Sequence, residues 1–411
     1  MTMYAFTRSQ NLFERAARVV PNGIYGPMSP AFLVPGHYPY FFQRGAGSHV
    51  WDVDGNEYID YMCSYGPIVL GHCHPKVEAA VAAQQQAGNC FNGPGSAFVE
   101  LAERLVDLTP FADWALFAKN GSDVVTWSLL VAREHTSRPK IVMADGTYHG
   151  TDAWCTPLTA GTTPADRAEI LTFKYNDLAD LQRVVAAHHE QIAGIIVTPF
   201  RHEAFHDQEM PGTGFHQGVR ELCDAHGIVF ILDDVRAGFR LHLGGSLEGL
   251  GVRPDIASYC KAIANGYPLS ASVGREFLRP AAERVFLAGT FFMSAVPMVA
   301  ALATLEELAA SGAIQHMWHV GTLLGRGLED QARAHGLPIN VTGPPAIPFM
   351  SFADDPDFER NRWFCAACAA RGVYFHPHHN WFLSAAHTEE DIARTLDVTD
   401  AAFRSVKEKW G

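Results

Sequence analysis

The sequence predicts an α/β protein: a large domain on a mostly parallel central sheet, joined to a smaller α+β domain. Three observations predict it. From Trp114 onward, short continuously apolar segments alternate with turns and helical segments, which is how strands buried on both faces read. The runs that carry polar, chemistry-bearing residues fall just after those apolar segments, where such sheets bind ligands. And 411 residues, 48% of them hydrophobic, are enough for two or three domains with a sizeable core. The expected division is 1–60 for the N-terminal segment of the smaller domain, 61–310 for the large domain, and 311–411 for the C-terminal part of the smaller one.

In chain order, residues 9–20 have helical spacing that Pro21-Asn-Gly23 breaks, and a loop rich in Pro and Gly follows. Apolar and polar residues alternate over 45–61 on both sides of Asp54-Gly55, which predicts a hairpin. Helices are expected over 75–87 and 97–108. Residues 115–118 form a short strand, Asn120 caps a helix reaching 134, and 140–144 form the next strand. Further strands fall at 193–197, 228–232, 255–260 and 270–273, with a helix over 215–226. Helices at 296–308 and 316–334, strands at 349–352 and 372–375, and a closing helix over 389–406 complete the chain.

Net charge is −13, which disfavours nucleic acid and anionic membrane as partners. No apolar run reaches the roughly 20 residues that span a bilayer. The opening residues, Met1 to Arg8, lack a basic region followed by an apolar core. The eight cysteines are scattered, so they read as reduced thiols in a cytoplasm. Cys365 and Cys368 lie in an alanine-rich helical stretch with no second pair, which makes them core-facing helix residues rather than metal ligands. Gly71-His-Cys-His-Pro75 reads as a turn into a helix that starts at Pro75. No metal site is expected, including at His376-Pro-His-His379.

The strand ends hold the chemistry. Ile231-Leu-Asp-Asp-Val-Arg236 closes an apolar strand in two carboxylates, which point to opposite sides if the strand continues. A strand-end acid or helix cap reads the same way. Of the seven lysines, Lys261 closes an apolar strand and enters a Gly-containing loop where a ligand can approach closely. Lys119 is its one rival. A nucleophilic lysine must be desolvated enough to lose its proton near neutral pH, from a reference pKa of about 10.4. The residues alone leave a structural ion pair for Lys261 equally open. Asn120-Gly-Ser-Asp123 at a strand-to-helix turn is either an anion cup or an ordinary cap. Tyr148-His-Gly150 offers an aromatic face at another strand end.

Together, these pieces resemble the class III (ω-type) aminotransferases, close to glutamate-1-semialdehyde aminomutase and the β-amino-acid aminotransferases. The resemblance runs from Val20-Pro-Asn-Gly23 through Trp51–Asp60, Leu70–Pro75, Asn120-Gly-Ser122, Tyr148-His-Gly150, Asp233–Arg240, Lys261 and Gly289-Thr290 to Ser384–Asp391. It implies a fold-type I, pyridoxal 5'-phosphate-dependent transferase whose large domain binds the cofactor. By that resemblance Lys261 forms the Schiff base and Asp233 pairs with the pyridine nitrogen. Val235 and Tyr148 cover the two ring faces, and Gly121 and Ser122 hold the phosphate. Thr290 reaches the phosphate of a neighbouring subunit, which implies a homodimer with shared sites. The implied reaction moves an amino group between an amine or β/ω-amino acid and a keto acid or aldehyde. The alternatives are a 2,1-aminomutase, an ammonia-lyase, or a cofactor-binding protein without turnover.

Departures from the family bear on substrate. Ser29 stands where the aminomutase has an arginine for the substrate carboxylate. Thr198-Pro199 replaces Glu-Pro, and Glu203 stands where the aminomutase has an asparagine near the cofactor's ring oxygen. Arg236 or Arg201 is expected to bind an anionic group of the substrate, with Tyr65 and His378 lining the pocket. The competing reading pairs those arginines with acids such as Asp234 and Glu203.

Overall fold

The computed structural model describes residues 4–411; Met1 to Met3, the start of the stretch read as lacking a signal sequence, lie outside the described residues. Contacts gather the chain into two compact units. The larger holds 75–203 and 209–314; the smaller holds residues up to His74, 204–208 and 315–411. These limits fall later in the chain than the 60/61 and 310/311 divisions read from the sequence. Residues 61–74 join the smaller unit because its backbone holds them. Phe382 N donates to Tyr61 O and Ala385 N to Val69 O, both at 2.7 Å, and Gly47 and His72 pair through their backbones.

The larger unit carries a seven-stranded sheet. Its spatial order is Trp114–Ala118, Ser270–Gly274, Ile256–Tyr259, Val229–Asp233, Ile192–Val197, Lys140–Ala144, Ile170–Phe173. Ser270–Gly274 is antiparallel to both neighbours, and the remaining pairings are parallel. Six carboxyl ends therefore share one edge. The central strands Ile192–Val197 and Val229–Asp233 are buried along their whole length, which explains their unbroken apolar sequences. The helix Gly121–Thr136 buries Trp127 against Trp114, edge to face with ring centroids 5.9 Å apart. Gly194 lets neighbouring strands close up, since a Cβ there would lie 2.8 Å from Ile231 Cδ1. The edge strand Ile170–Phe173 and the helix Leu178–His188 escaped the sequence reading. That strand is half-exposed, so it lacks the apolar run that marks the central ones.

In the smaller unit, Phe42–Ala46, His49–Asp52 and Glu57–Asp60 form an antiparallel sheet, joined in parallel by Val373–Tyr374. The Asp54-Gly55 turn does more than reverse the chain. Helix Thr7–Val19 has no side-chain cap of its own, and the Asp54 carboxylate accepts from Arg8 N (2.7 Å) and Ser9 N (2.9 Å) in its place. Ile339–Thr342 pairs with Phe349–Phe352, and Phe352, Phe364 and Phe403 meet beneath helices Glu359–Ala369 and Glu389–Trp410. Cys365 and Cys368 are buried on the first of these helices. His72 Nε2 hydrogen-bonds Asp60 Oδ2 at 2.8 Å, and Pro75 opens the helix Pro75–Ala87. No single described helix is both long and apolar enough to cross a membrane.

Asp391 ties the last helix to the N-terminal sheet. It accepts from Thr388 N (3.0 Å) and Ser48 Oγ (2.9 Å) and meets His49 Nε2 at 3.0 Å. Burial pushes its carboxyl up, but the bonds from His49, Thr388 and Ser48 outweigh that and hold it below the usual 3.8. Its contribution to stability is therefore present above pH 3.8 and lost as pH falls further. Asp391→Asn is expected to lower unfolding free energy at pH 7 by about 1–3 kcal/mol. In urea titrations the gap from wild type should close as pH drops below that value; a gap that stays constant with pH would refute this.

Candidate functional site

Asp233 ends a buried strand and is itself 5% exposed. Its Oδ2 meets His149 Nδ1 at 2.8 Å, and its Oδ1 accepts from Val235 N at 3.1 Å. His149 is buried too, with Nε2 3.1 Å from Thr147 Oγ1, which donates to Ala144 O. The end of strand Lys140–Ala144 thus fixes the ring, and the ring fixes the carboxylate. Hydrogen bonds to charged groups of this kind contribute roughly 1.5–3 kcal/mol. The sequence reading singled out Tyr148 and passed over His149. The one signal for it was its place in the strand-end run Tyr148-His-Gly150.

Asp234 turns away and accepts from Ser246 N (2.8 Å) and Ser246 Oγ (2.6 Å), while burial pushes its carboxyl up to about 7. The pair separates as strand alternation requires. Arg236 does not take Asp234 as its partner.

Lys261 opens a single helical turn, Lys261–Ala264, after strand Ile256–Tyr259. Its φ of +48° is left-handed, a conformation that costs a non-glycine residue on the order of 1–3 kcal/mol and persists only where the surroundings impose it. Burial, then the Arg236 guanidinium, with Arg240 adding to them, outweighs the pull of Cys260 and Asp233. Together they bring the ammonium down to about 7. At neutral pH a large share of this amine is uncharged. The rival, Lys119, is brought down to about 8 by burial. Of the two, Lys261 is the one that feels the Asp233 carboxylate.

Arg236 is buried, and its Nη1 donates to His202 O at 3.1 Å. Burial brings it down to about 10 against the pull of Glu203, Tyr148 and Asp233, so it stays charged at neutral pH. Glu203 Oε1 accepts from Tyr148 N (3.2 Å), and Oε2 pairs with Arg201 Nε (2.9 Å). Arg201 is thus engaged in an ion pair with Glu203. Gly121 opens the helix Gly121–Thr136, and a Cβ on it would lie 2.8 Å from Val235 Cγ1. Ser122 Oγ accepts from Thr151 N at 3.1 Å. Gly150, at φ +126°, passes so close that a Cβ would lie 2.4 Å from that hydroxyl. Gly121, Ser122, Tyr148, Val235, Arg236, Asp233 and Lys261 thus all belong to the larger unit, at the carboxyl edge of its sheet.

Thr290 is exposed on a segment after the helix Arg279–Arg284. Two other residues lie in the smaller unit. Tyr65 ends a run of three left-handed residues, Cys63 to Tyr65, and its ring lies 5.1 Å from that of His379 and 6.0 Å from that of His376. His378 is buried instead in an aromatic cluster, stacked on Phe205 at 4.4 Å and edge-on to Phe358. Within that unit, His376 and His379 are the loop histidines beside Tyr65. Ser29 begins the turn Pro30–Phe32 and accepts from Ala31 N.

Comparison with known proteins gives a consistent result. The profile of the aminotransferase class-III family matches residues 34–397. The chain is 45% identical to an aminopentol aminotransferase of Sphingopyxis macrogoltabida, over 97% of this chain and 94% of that one. It is 36% identical to a 3-aminobutyryl-CoA aminotransferase of Cloacimonas acidaminovorans, over 97% of each. Among solved structures, the FumI protein of Sphingopyxis sp. MTA144, in its pyridoxal phosphate internal aldimine form, superposes with a TM-score of 0.97. That match is at 44% identity, covering 98% of this chain and 97% of that one.

Proposed function

Because this chain belongs to the class-III aminotransferases, enzymes that work with pyridoxal phosphate, we propose that Lys261 is its reacting amine and Asp233 the acid that meets the cofactor's ring nitrogen. One observation carries the assignment: a buried lysine brought to about 7 in the surroundings of a buried carboxylate that His149 holds in place. When bound, the cofactor supplies an electrophilic carbon for amines and a ring that spreads the charge left as a C–H proton departs.

The residues fit that group. Gly121 and Gly150 leave no room for a Cβ, so bare backbone and the Ser122 hydroxyl are available at a helix start, where a phosphate is stabilised. Val235 and Tyr148 offer an aliphatic and an aromatic face. Asp233, held by His149, keeps the ring nitrogen protonated. Lys261 holds and moves the proton at the substrate carbon, a task suited to an amine near neutrality. Burial, with Arg236 adding to it, keeps that amine near neutrality.

The amino donor we favour is an amine on an extended chain without a required second carboxylate. Arg201 is neutralised by Glu203, and Ser29 stands where an arginine for a carboxylate was expected. A relative named for an aminopentol, at 45% identity, agrees with this. A keto acid or aldehyde takes the amino group. The working form we propose is a homodimer. Exposed Thr290 lies among exposed Phe286 (87%), Phe291 (61%) and Met293, an apolar patch that a second copy would cover while Thr290 reached its phosphate. A monomer in sedimentation of the loaded protein would rule this out.

The test is the absorption spectrum of the loaded enzyme mixed with amino alcohols, β-amino acids, α-amino acids and glutamate 1-semialdehyde. Loss of the visible band on mixing with an amino alcohol, restored by a keto acid, is the expected result. Response to glutamate 1-semialdehyde alone would move the reading to an aminomutase. Ammonia release without keto-acid turnover would move it to a lyase.

A further inference from the structure

We propose that His202 contacts the cofactor, donating from its Nδ1 to the ring hydroxyl oxygen of bound pyridoxal phosphate. The proposal rests on the reading of Lys261 and Asp233 given above. His202 is 4% exposed, and its Nδ1 is buried with no hydrogen-bond partner among the described residues. Leaving a buried polar atom unpaired costs roughly 1–3 kcal/mol, so such an atom calls for an explanation, and a ligand is the natural one. The ring stands edge-on to Phe200, centroids 5.2 Å apart, and its backbone carbonyl is engaged by Arg236.

The surroundings identify the ligand. Burial, and then the charges of Arg236, Lys261 and His149, hold the imidazole well below its ordinary value. It is therefore neutral, with one N–H to give, and within electrostatic reach of both the lysine and the partner of Asp233. Sheet order says which edge of the cofactor it meets. Crossing the sheet from the phosphate cup after Trp114–Ala118, one passes Lys261 after Ile256–Tyr259 and then Asp233 at the end of Val229–Asp233. His202 follows, after Ile192–Val197. In pyridoxal phosphate, the phosphate arm and the hydroxyl flank the aldehyde carbon on opposite sides. A ring held at its nitrogen by Asp233, at its aldehyde carbon by Lys261 and at its arm by the cup turns its hydroxyl away from the cup, toward His202. Near neutral pH that oxygen carries negative charge and accepts. Glu203, standing where the aminomutase has an asparagine near this oxygen, is occupied by Tyr148 N and Arg201 Nε, and its charge would repel.

The experiment compares wild type, His202→Phe, His202→Leu and His202→Asn as purified apo-proteins, each checked for a native circular dichroism spectrum and then titrated with pyridoxal phosphate. Phe and Leu remove the donor with a larger and a smaller side chain, and Asn keeps an amide N–H where Nδ1 stands. The Phe and Leu variants are expected to bind the cofactor about tenfold more weakly, the worth of one hydrogen bond. The pH at which their visible band fades should rise by about one unit, since the phenolate loses its donor. Asn should return both toward wild type. If a folded Phe or Leu variant matches wild type in affinity and in that pH midpoint, the proposal is overturned. If wild type itself takes up no cofactor, the reading of Lys261 falls first and this one with it.

Discussion

Lys261→Ala is expected to remove transamination almost entirely, lowering kcat by on the order of 10⁴-fold or more, because the same nitrogen attaches the cofactor and moves the proton. The variant should still bind pyridoxal phosphate through the Gly121–Ser122 cup and Asp233, without the visible band of the lysine-linked form. Retention of more than about a hundredth of wild-type kcat would sink the assignment and return attention to Lys119. The same substitution should stabilise the apo-protein. Lys261 has a folded pKa of about 7 against 10.5 for the free side chain. Folding therefore carries its full penalty below pH 7, and the penalty fades as pH rises from 7 toward 10.5. A few kcal/mol are at stake. Thermal melts of apo Lys261→Ala and wild type should differ most near pH 6 and converge as pH rises. Stability given up at the reacting group is what a functional amine requires, since an uncharged side chain would escape the cost of burying an ammonium.

The fold was legible because its central strands are buried on both faces. Ile192–Val197 and Val229–Asp233 announce themselves by unbroken apolar runs, and the acids and lysines that end them mark the sheet's carboxyl edge. Ile170–Phe173 lies at the sheet's margin with Phe173 alone of its four residues fully buried and gives no such run. Residues 61–74 gather with the smaller unit for a different reason: they are held by backbone bonds with 374–385, a pairing across three hundred positions that no local pattern carries. At the site, residue types were readable and partnerships were not. Arg201 and Arg236 looked equivalent from the sequence, yet one is paired with Glu203 and the other is buried and acts on Lys261. His149 and His202 were missed as functional residues because a histidine shows its role only through what its two nitrogens meet.

Asp233→Asn tests the other half of the site. The amide keeps the size and can still accept from Val235 N, but it loses the charge that holds a proton on the cofactor's nitrogen. Loss of a preorganised electrostatic partner of this kind lowers turnover by about 10²–10³-fold, and kcat is expected to fall more than substrate affinity does. His149→Phe should act through Asp233 and therefore less severely, by about tenfold, the worth of one hydrogen bond to the carboxylate. Because the histidine touches no reacting atom, it is a positioning residue, and activity alone would not separate that role from a packing defect. The double variant does. If His149 works by orienting the Asp233 carboxylate, then once that carboxylate is gone the ring has nothing left to orient. Asp233→Asn with His149→Phe should then be no slower than Asp233→Asn alone, a non-additivity expected of groups that act as one unit. Two losses that multiply would mean His149 supports the fold of the strand end independently, and the chain Thr147–His149–Asp233 would be scaffolding instead of a device for placing charge.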